Sequence, residues 1–280
     1  MFLRYPHRPT NAGPAATPAH LPEPAAAYPT SGYADPVTTP DAPPAADQNP
    51  GPDPAPAPAA APTPAPSLLH DSDLLQTTFI VLDFEGTTPR GYSPEPIEVA
   101  AVALRRDGDR WRQTWSFEAL MKPPPHAPVT SFEAAQSGIT AAMVAHRPGA
   151  ATVLAEFDTH LTDGPYRLVA HNAATEGGMI YRYRDHCPAL AGTHLLDTVK
   201  LARALLPDTP GLSLDALIEH LRLPRPARRH RAMPDVEATI ALFERLIDVA
   251  AARGVRTLPD LVRTCGSVAK ATLPVQDSIF

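Results

Sequence analysis

The chain has 280 residues, a formal net charge of −6, 36 prolines and two cysteines. Nineteen of the prolines, with 17 alanines, fall within residues 1–66, which leaves a remainder long enough for one domain with a sizeable core. That remainder is mildly acidic, so bulk positive charge is excluded as a means of holding nucleic acid, and any such binding must use local patches or metal ions.

From Pro6 to Pro66 there is almost no bulky aliphatic side chain to bury. Proline fixes φ and removes N–H donors, and alanine offers little apolar area to offset ordering entropy. Residues 1–66 therefore read as a disordered, semi-stiff tether. The start, Met1-Phe2-Leu3-Arg4-Tyr5-Pro6, lacks the apolar stretch of a signal peptide. Apolar runs such as Phe79–Leu82 and Val99–Leu104 fall far short of the roughly 18 residues of a bilayer span. The expectation is a cytoplasmic protein with no membrane segment. Cys187 and Cys265 lack Cys-x-x-Cys spacing and read as reduced, buried small apolar residues.

Beyond the tail, Thr78-Phe79-Ile80-Val81-Leu82 is a continuous apolar run, as in a strand buried on both faces. Pro96–Leu104 reads as a second strand, Arg105–Asp109 as a turn, and Trp111–Phe117 as a third strand, giving an antiparallel meander. Val153, Leu154, Phe157 and Leu161 mark one amphipathic helix. Arg167–His171 and Leu195–Asp197 are short strands. Leu214, Leu217, Ile218 and Leu221 form a helix stripe behind a Ser213 N-cap. Val236, Ile240, Phe243, Ile247 and Ala250 trace a last long helix, ended by Gly254. Strands first, then alternating helices and short strands, imply an α/β architecture with a mixed sheet.

Three polar clusters do not belong to a core. Asp83 and Glu85 stand at positions i and i+2 of the first strand, so both carboxylates emerge on one face. Such a pair is unfavourable unless something positive joins it, and a divalent cation with hard oxygen ligands is the economical answer. A carboxylate capping the turn at Gly86 is the bland alternative. The second cluster, His171-Asn172-Ala173-Ala174-Thr175-Glu176, runs from a strand end into a helix whose first turn bears Glu176, a position the helix dipole also favours. The third, His230-Arg231-Ala232-Met233-Pro234-Asp235, brings Asp235 to the start of the last helix, where it serves equally as an N-cap.

In this order the clusters resemble the DEDDh 3′–5′ exonuclease family, which includes the proofreading (epsilon) subunits of replicative DNA polymerases. The resemblance covers roughly Thr77–Arg253, with supporting segments at Ile97–Val102, Gly138-Ile139-Thr140 and Leu196-Asp197-Thr198. It implies a ribonuclease H-like fold, a mixed sheet flanked by helices. By similarity, Asp83, Glu85, Glu176 and Asp235 would hold two divalent ions, Mg²⁺ or Mn²⁺, and His230 would be the general base. The substrate implied is a nucleic acid 3′ end, single-stranded DNA favoured and the choice between DNA and RNA left open, and the product a nucleoside 5′-monophosphate, in replication proofreading or repair. Thr87, where the family supports the terminal nucleotide, and Arg229 and Arg231, beside His230, are candidate substrate contacts.

Two features depart from the family pattern. Glu176 stands where it has Asp, and Gly86-Thr87-Thr88-Pro89 replaces the frequent Thr-Thr-Gly. A catalytically weak nucleic-acid-binding or regulatory module with the same fold is the competing reading. Asp197 reads as a structural cap. The final Gln276-Asp277-Ser278-Ile279-Phe280 resembles the peptide by which bacterial replication proteins dock in the sliding clamp, with Gln276 setting register and Ile279 and Phe280 filling an apolar groove. The organisation expected is a tail over 1–66, an exonuclease domain over 67–266 and a carboxyl-terminal tail over 267–280.

Overall fold

The computed structural model describes residues 67–162, 164–226 and 230–270. A 3₁₀ turn at Leu68–His70 leads into α1 (Ser72–Gln76), then β1 (Thr78–Thr87), β2 (Glu95–Asp107) and β3 (Arg110–Leu120). Helices α2 (Ser131–Ser137), α3 (Ala141–Val144) and α4 (Ala150–Asp158) precede β4 (Tyr166–Ala170). Next come α5 (Ala174–Arg182), α6 (Pro188–Gly192), β5 (Leu195–Asp197), α7 (Thr198–Leu205) and α8 (Leu214–Leu221). The long α9 (Ala232–Ala252), α10 (Leu258–Cys265) and a two-residue β6 (Gly266–Ser267) complete the described chain. No helix among these residues is long and apolar enough to cross a membrane.

The strands form one six-stranded mixed sheet in the order β3-β2-β1-β4-β5-β6. The meander read from the sequence is present, with β1–β2 and β2–β3 antiparallel, while β4 and β5 run parallel to β1. Parallel pairing aligns the carboxyl ends of β1, β4 and β5, so residues leaving those strands meet at one edge.

Alternation along β1 sorts its side chains between two layers. Ile80, Leu82 and Phe84 join Val153, Leu154 and Phe157 of α4 and Met179 and Ile180 of α5. Phe79 and Val81 join Val236, Phe243 and Ile247 of α9, where Phe79 meets Phe243 at 5.3 Å between ring centroids. Asp83 and Glu85 continue the second set, which places both on the α9 side of the sheet. Both cysteines are free and buried, as expected, and burial pushes each thiol up to about 12.

Two local expectations change. The α4 helix stops at Asp158, and Leu161 lies beyond it, still packed on the same core. The last long helix starts at Ala232, with Arg231 at the N-cap, so Asp235 sits inside the first turns rather than capping them. Pro234 is tolerated there because the first four N–H groups of a helix have no intrahelical partner.

Candidate active site

β1 delivers Asp83 and Glu85 to the carboxyl edge of the sheet, where the β1–β2 register shifts between Glu85 and Gly86. Glu85 pairs with Glu98, while Gly86 pairs with Pro96, so one extra residue of β2 is inserted beside the carboxylates. Such irregularities re-aim side chains and are frequent next to active sites. Gly86 has no room for a larger residue: a Cβ there would lie 2.8 Å from Met179 Cε and 3.0 Å from the Glu95 carbonyl oxygen.

β4 ends at Ala170, and the chain turns through Asn172, whose φ is +68°, into α5. His171 Nδ1 lies 2.9 Å from Thr198 Oγ1, which ties this turn to the start of α7. Glu176, in the first turn of α5, is 4% exposed, and its Oε2 is buried without a hydrogen-bond partner. Burial above all, with the nearby Asp197 carboxylate, pushes its carboxyl up to about 8. Asp197 itself is a cap, as read from the sequence: its Oδ1 accepts from the backbone N–H groups of Val199 (2.9 Å) and Lys200 (3.4 Å).

The third contribution comes from the amino end of α9. His230 is exposed and has a left-handed φ of +59°, and Asp235 is buried five residues later. One ligand atom each from Glu85, His230 and Asp235 lies within 4.8 Å of the others. This group joins the first strand to the last long helix, residues 150 apart in sequence. Asp83 and Glu176 stand outside it.

These donors suit a hard divalent cation. Two carboxylates and an imidazole converge, while Glu176, outside that group, carries a buried carboxylate oxygen with no hydrogen-bond partner among the described residues. Thr87 is 1% exposed, with its hydroxyl turned to the Glu95 carbonyl 3.5 Å away. Arg231, its side chain 26% exposed, is ion-paired with the buried Glu98 carboxylate. Arg229, Gln276, Ile279 and Phe280 lie outside the described residues.

Two acidic residues that the sequence reading did not treat as site elements prove to brace it. Glu98 receives Arg231 and the amino end of α9. Glu95, 2% exposed, accepts from Arg182 Nη1 at 2.6 Å and from the Tyr183 hydroxyl at 2.7 Å, holding the far end of α5 to the start of β2. Their signal is visible in the sequence: two carboxylates within an apolar strand, where an unpaired charge is costly.

A mixed sheet flanked by helices, with acidic residues converging at its parallel strand ends, defines a ribonuclease H-like nuclease fold. Residues 80–243 match the exonuclease family model (RNase_T). The chain is 34% identical over 182 residues to a DNA polymerase III PolC-type protein of Oceanobacillus iheyensis, covering 63% of this chain and 12% of that one. It is 34% identical over 194 residues to a DNA polymerase III subunit epsilon-like protein of Rhodobacter capsulatus, covering 68% and 27%. The chain thus spans a small part of these curated relatives. The solved nuclease domain of 3′hExo, a DEDDh family member bound to rAMP, shares the fold with a TM-score of 0.51 and 16% identity, over 67% of this chain and 96% of that one. The chain belongs to the exonuclease family.

Proposed function

We propose that this protein removes nucleotides one at a time from the 3′ ends of nucleic acid, single-stranded DNA foremost, in proofreading or repair in the cytoplasm. The observation that carries this reading is the meeting of Glu85, His230 and Asp235 at the junction of β1 and α9. Magnesium or manganese ions, when bound there, would supply polarisation of the phosphodiester and a more acidic attacking water. Asp83, Glu85, Glu176 and Asp235 are the carboxylates proposed to hold them.

His230 accepts the proton of the attacking water at an imidazole nitrogen. Its exposure leaves it reachable by water and by an incoming strand. The product is a nucleoside 5′-monophosphate and a chain shorter by one unit. Residues 1–66 are proposed as a tether, and the Gln276–Phe280 peptide as a docking segment for a sliding clamp.

The test uses 3′- and 5′-labelled DNA and RNA oligonucleotides with Mg²⁺, Mn²⁺ or EDTA. Stepwise loss from the 3′ end is expected with either metal, none with EDTA, and none from Asp83→Ala. A wild-type protein that binds single strands but cuts neither substrate would favour the competing reading, a binding module disabled at Glu176. The buried position of Glu176 is the observation that keeps that reading in view.

A further inference from the structure

Glu98 is 1% exposed and lies among ten consecutive buried residues of β2. A carboxylate in that setting must be fully hydrogen-bonded or protonated. Arg231 Nε donates to its Oε1 and Oε2 at 3.1 and 3.0 Å, and Arg231 Nη2 to Oε1 at 2.6 Å. The backbone N–H of Ala232, the first residue of α9, donates to Oε2 at 2.9 Å. Glu98 thus caps the helix from another strand and grips the side chain at its N-cap position, although 133 residues separate it from Arg231.

What this grip holds is the residue before Arg231. His230 adopts a left-handed backbone, which a non-glycine residue keeps only when its surroundings impose it. The same Glu98 is the cross-strand partner of Glu85. One ladder step and one ion pair therefore connect the Glu85 backbone to the chain entering α9. Arg231 and Glu98 also line a depression of about 340 Å³ whose wall includes Glu118, Glu156 and Arg147. With three carboxylates against two arginines, that wall is poorly matched to a phosphate.

We infer that Glu98 is a positioning residue for the proposed general base, acting through Arg231 and the Ala232 amide to fix the His230–α9 junction and aim the imidazole at Glu85 and Asp235. The inference rests on the proposed role of His230. Glu98 touches neither water nor substrate in this role. Its charge matters because only a carboxylate accepts the guanidinium fork and the helix amide together.

The test is a double-mutant cycle in the full chain. Glu98→Gln keeps the volume and one acceptor, so the fold should survive. Arg231→Lys keeps the charge but removes the fork, and serves if the first variant is unstable. Either is expected to lower kcat about 10- to 100-fold, as loss of an orienting partner typically does, with KM changed less than about twofold. In a His230→Ala background the same substitution should change kcat by less than about twofold, because the group it positions is gone. In metal-free protein the His230 imidazole signal, assigned by its loss in His230→Ala, should shift in Glu98→Gln and return towards wild type in Glu98→Asp. Full additivity with His230→Ala, or an unmoved imidazole signal in folded variants, would overturn the inference. A wild-type protein without nuclease activity would overturn the reading of His230 as a base, while the imidazole signal still decides whether Glu98 sets its position.

Discussion

Glu176 concentrates the conflict between folding and chemistry in one side chain. Its buried carboxyl, pushed up to about 8, is stable when neutral and costly when ionised. A group whose folded pKa lies above its unfolded value stabilises the native state at low pH, and that contribution is lost as pH rises through the folded value. The metal-free protein should therefore lose stability between pH 4.5 and about 8 on account of Glu176. Glu176→Gln is expected to melt at nearly the wild-type temperature at pH 5 and several degrees higher at pH 9, where the native carboxylate is charged. The same variant should bind Mn²⁺ more weakly, measured by calorimetry. Equal melting temperatures at both pH values would show that this carboxyl is not buried as charge. The family pattern has Asp at this position.

The elements of this fold are held at their ends by carboxylates from distant segments. Asp71 accepts from Leu74 in α1 and from Leu258 at the start of α10. Asp158 accepts from Ala189 and Leu190 in the five-residue α6. Glu95 binds Arg182 and Tyr183, and burial together with that carboxylate pushes the Tyr183 hydroxyl up. Glu95→Ala is expected to cost about 3 kcal/mol in urea denaturation, the low end for breaking a buried pair, because Arg182 is 32% exposed and can turn to water. The sequence announces the strands and long helices whose apolar pattern is continuous: β1, β2, the α8 stripe with its Ser213 cap, and α9. It does not announce α6, whose amino end rests on Asp158 some thirty residues away; α2 and α3 are short, and only their local caps, the Thr130–Glu133 box and Thr140, mark them. Glu85, His230 and Asp235, which the structure brings together, stand out in the sequence because polar residues break apolar strands and open a helix. The Arg231 ion pair does not, because a surface-looking arginine has its partner 133 residues away.

At the scale of the molecule, Leu68 is already fully buried in the core beneath α9, so the domain takes hold of the chain just past the proline-rich segment. Removing residues 1–66 should leave the melting temperature within about a degree and metal-dependent cleavage unchanged; a shift larger than the 2–4 °C that about 1 kcal/mol produces in a domain of this size would assign the segment a structural role. α9 lies across the sheet, shields β1 and β2 from water, and supplies Asp235, with His230 just before its N-cap. It is also made after strands β1 to β5. A nascent chain can pair β1 with β2 and β3 long before this helix emerges, and until then it lacks the proposed base and the proposed fourth carboxylate. A ribosome stalled upstream of residue 230 would carry five strands of the sheet without the proposed base, so the order of the chain itself delays the proposed activity until the start of α9 has been made.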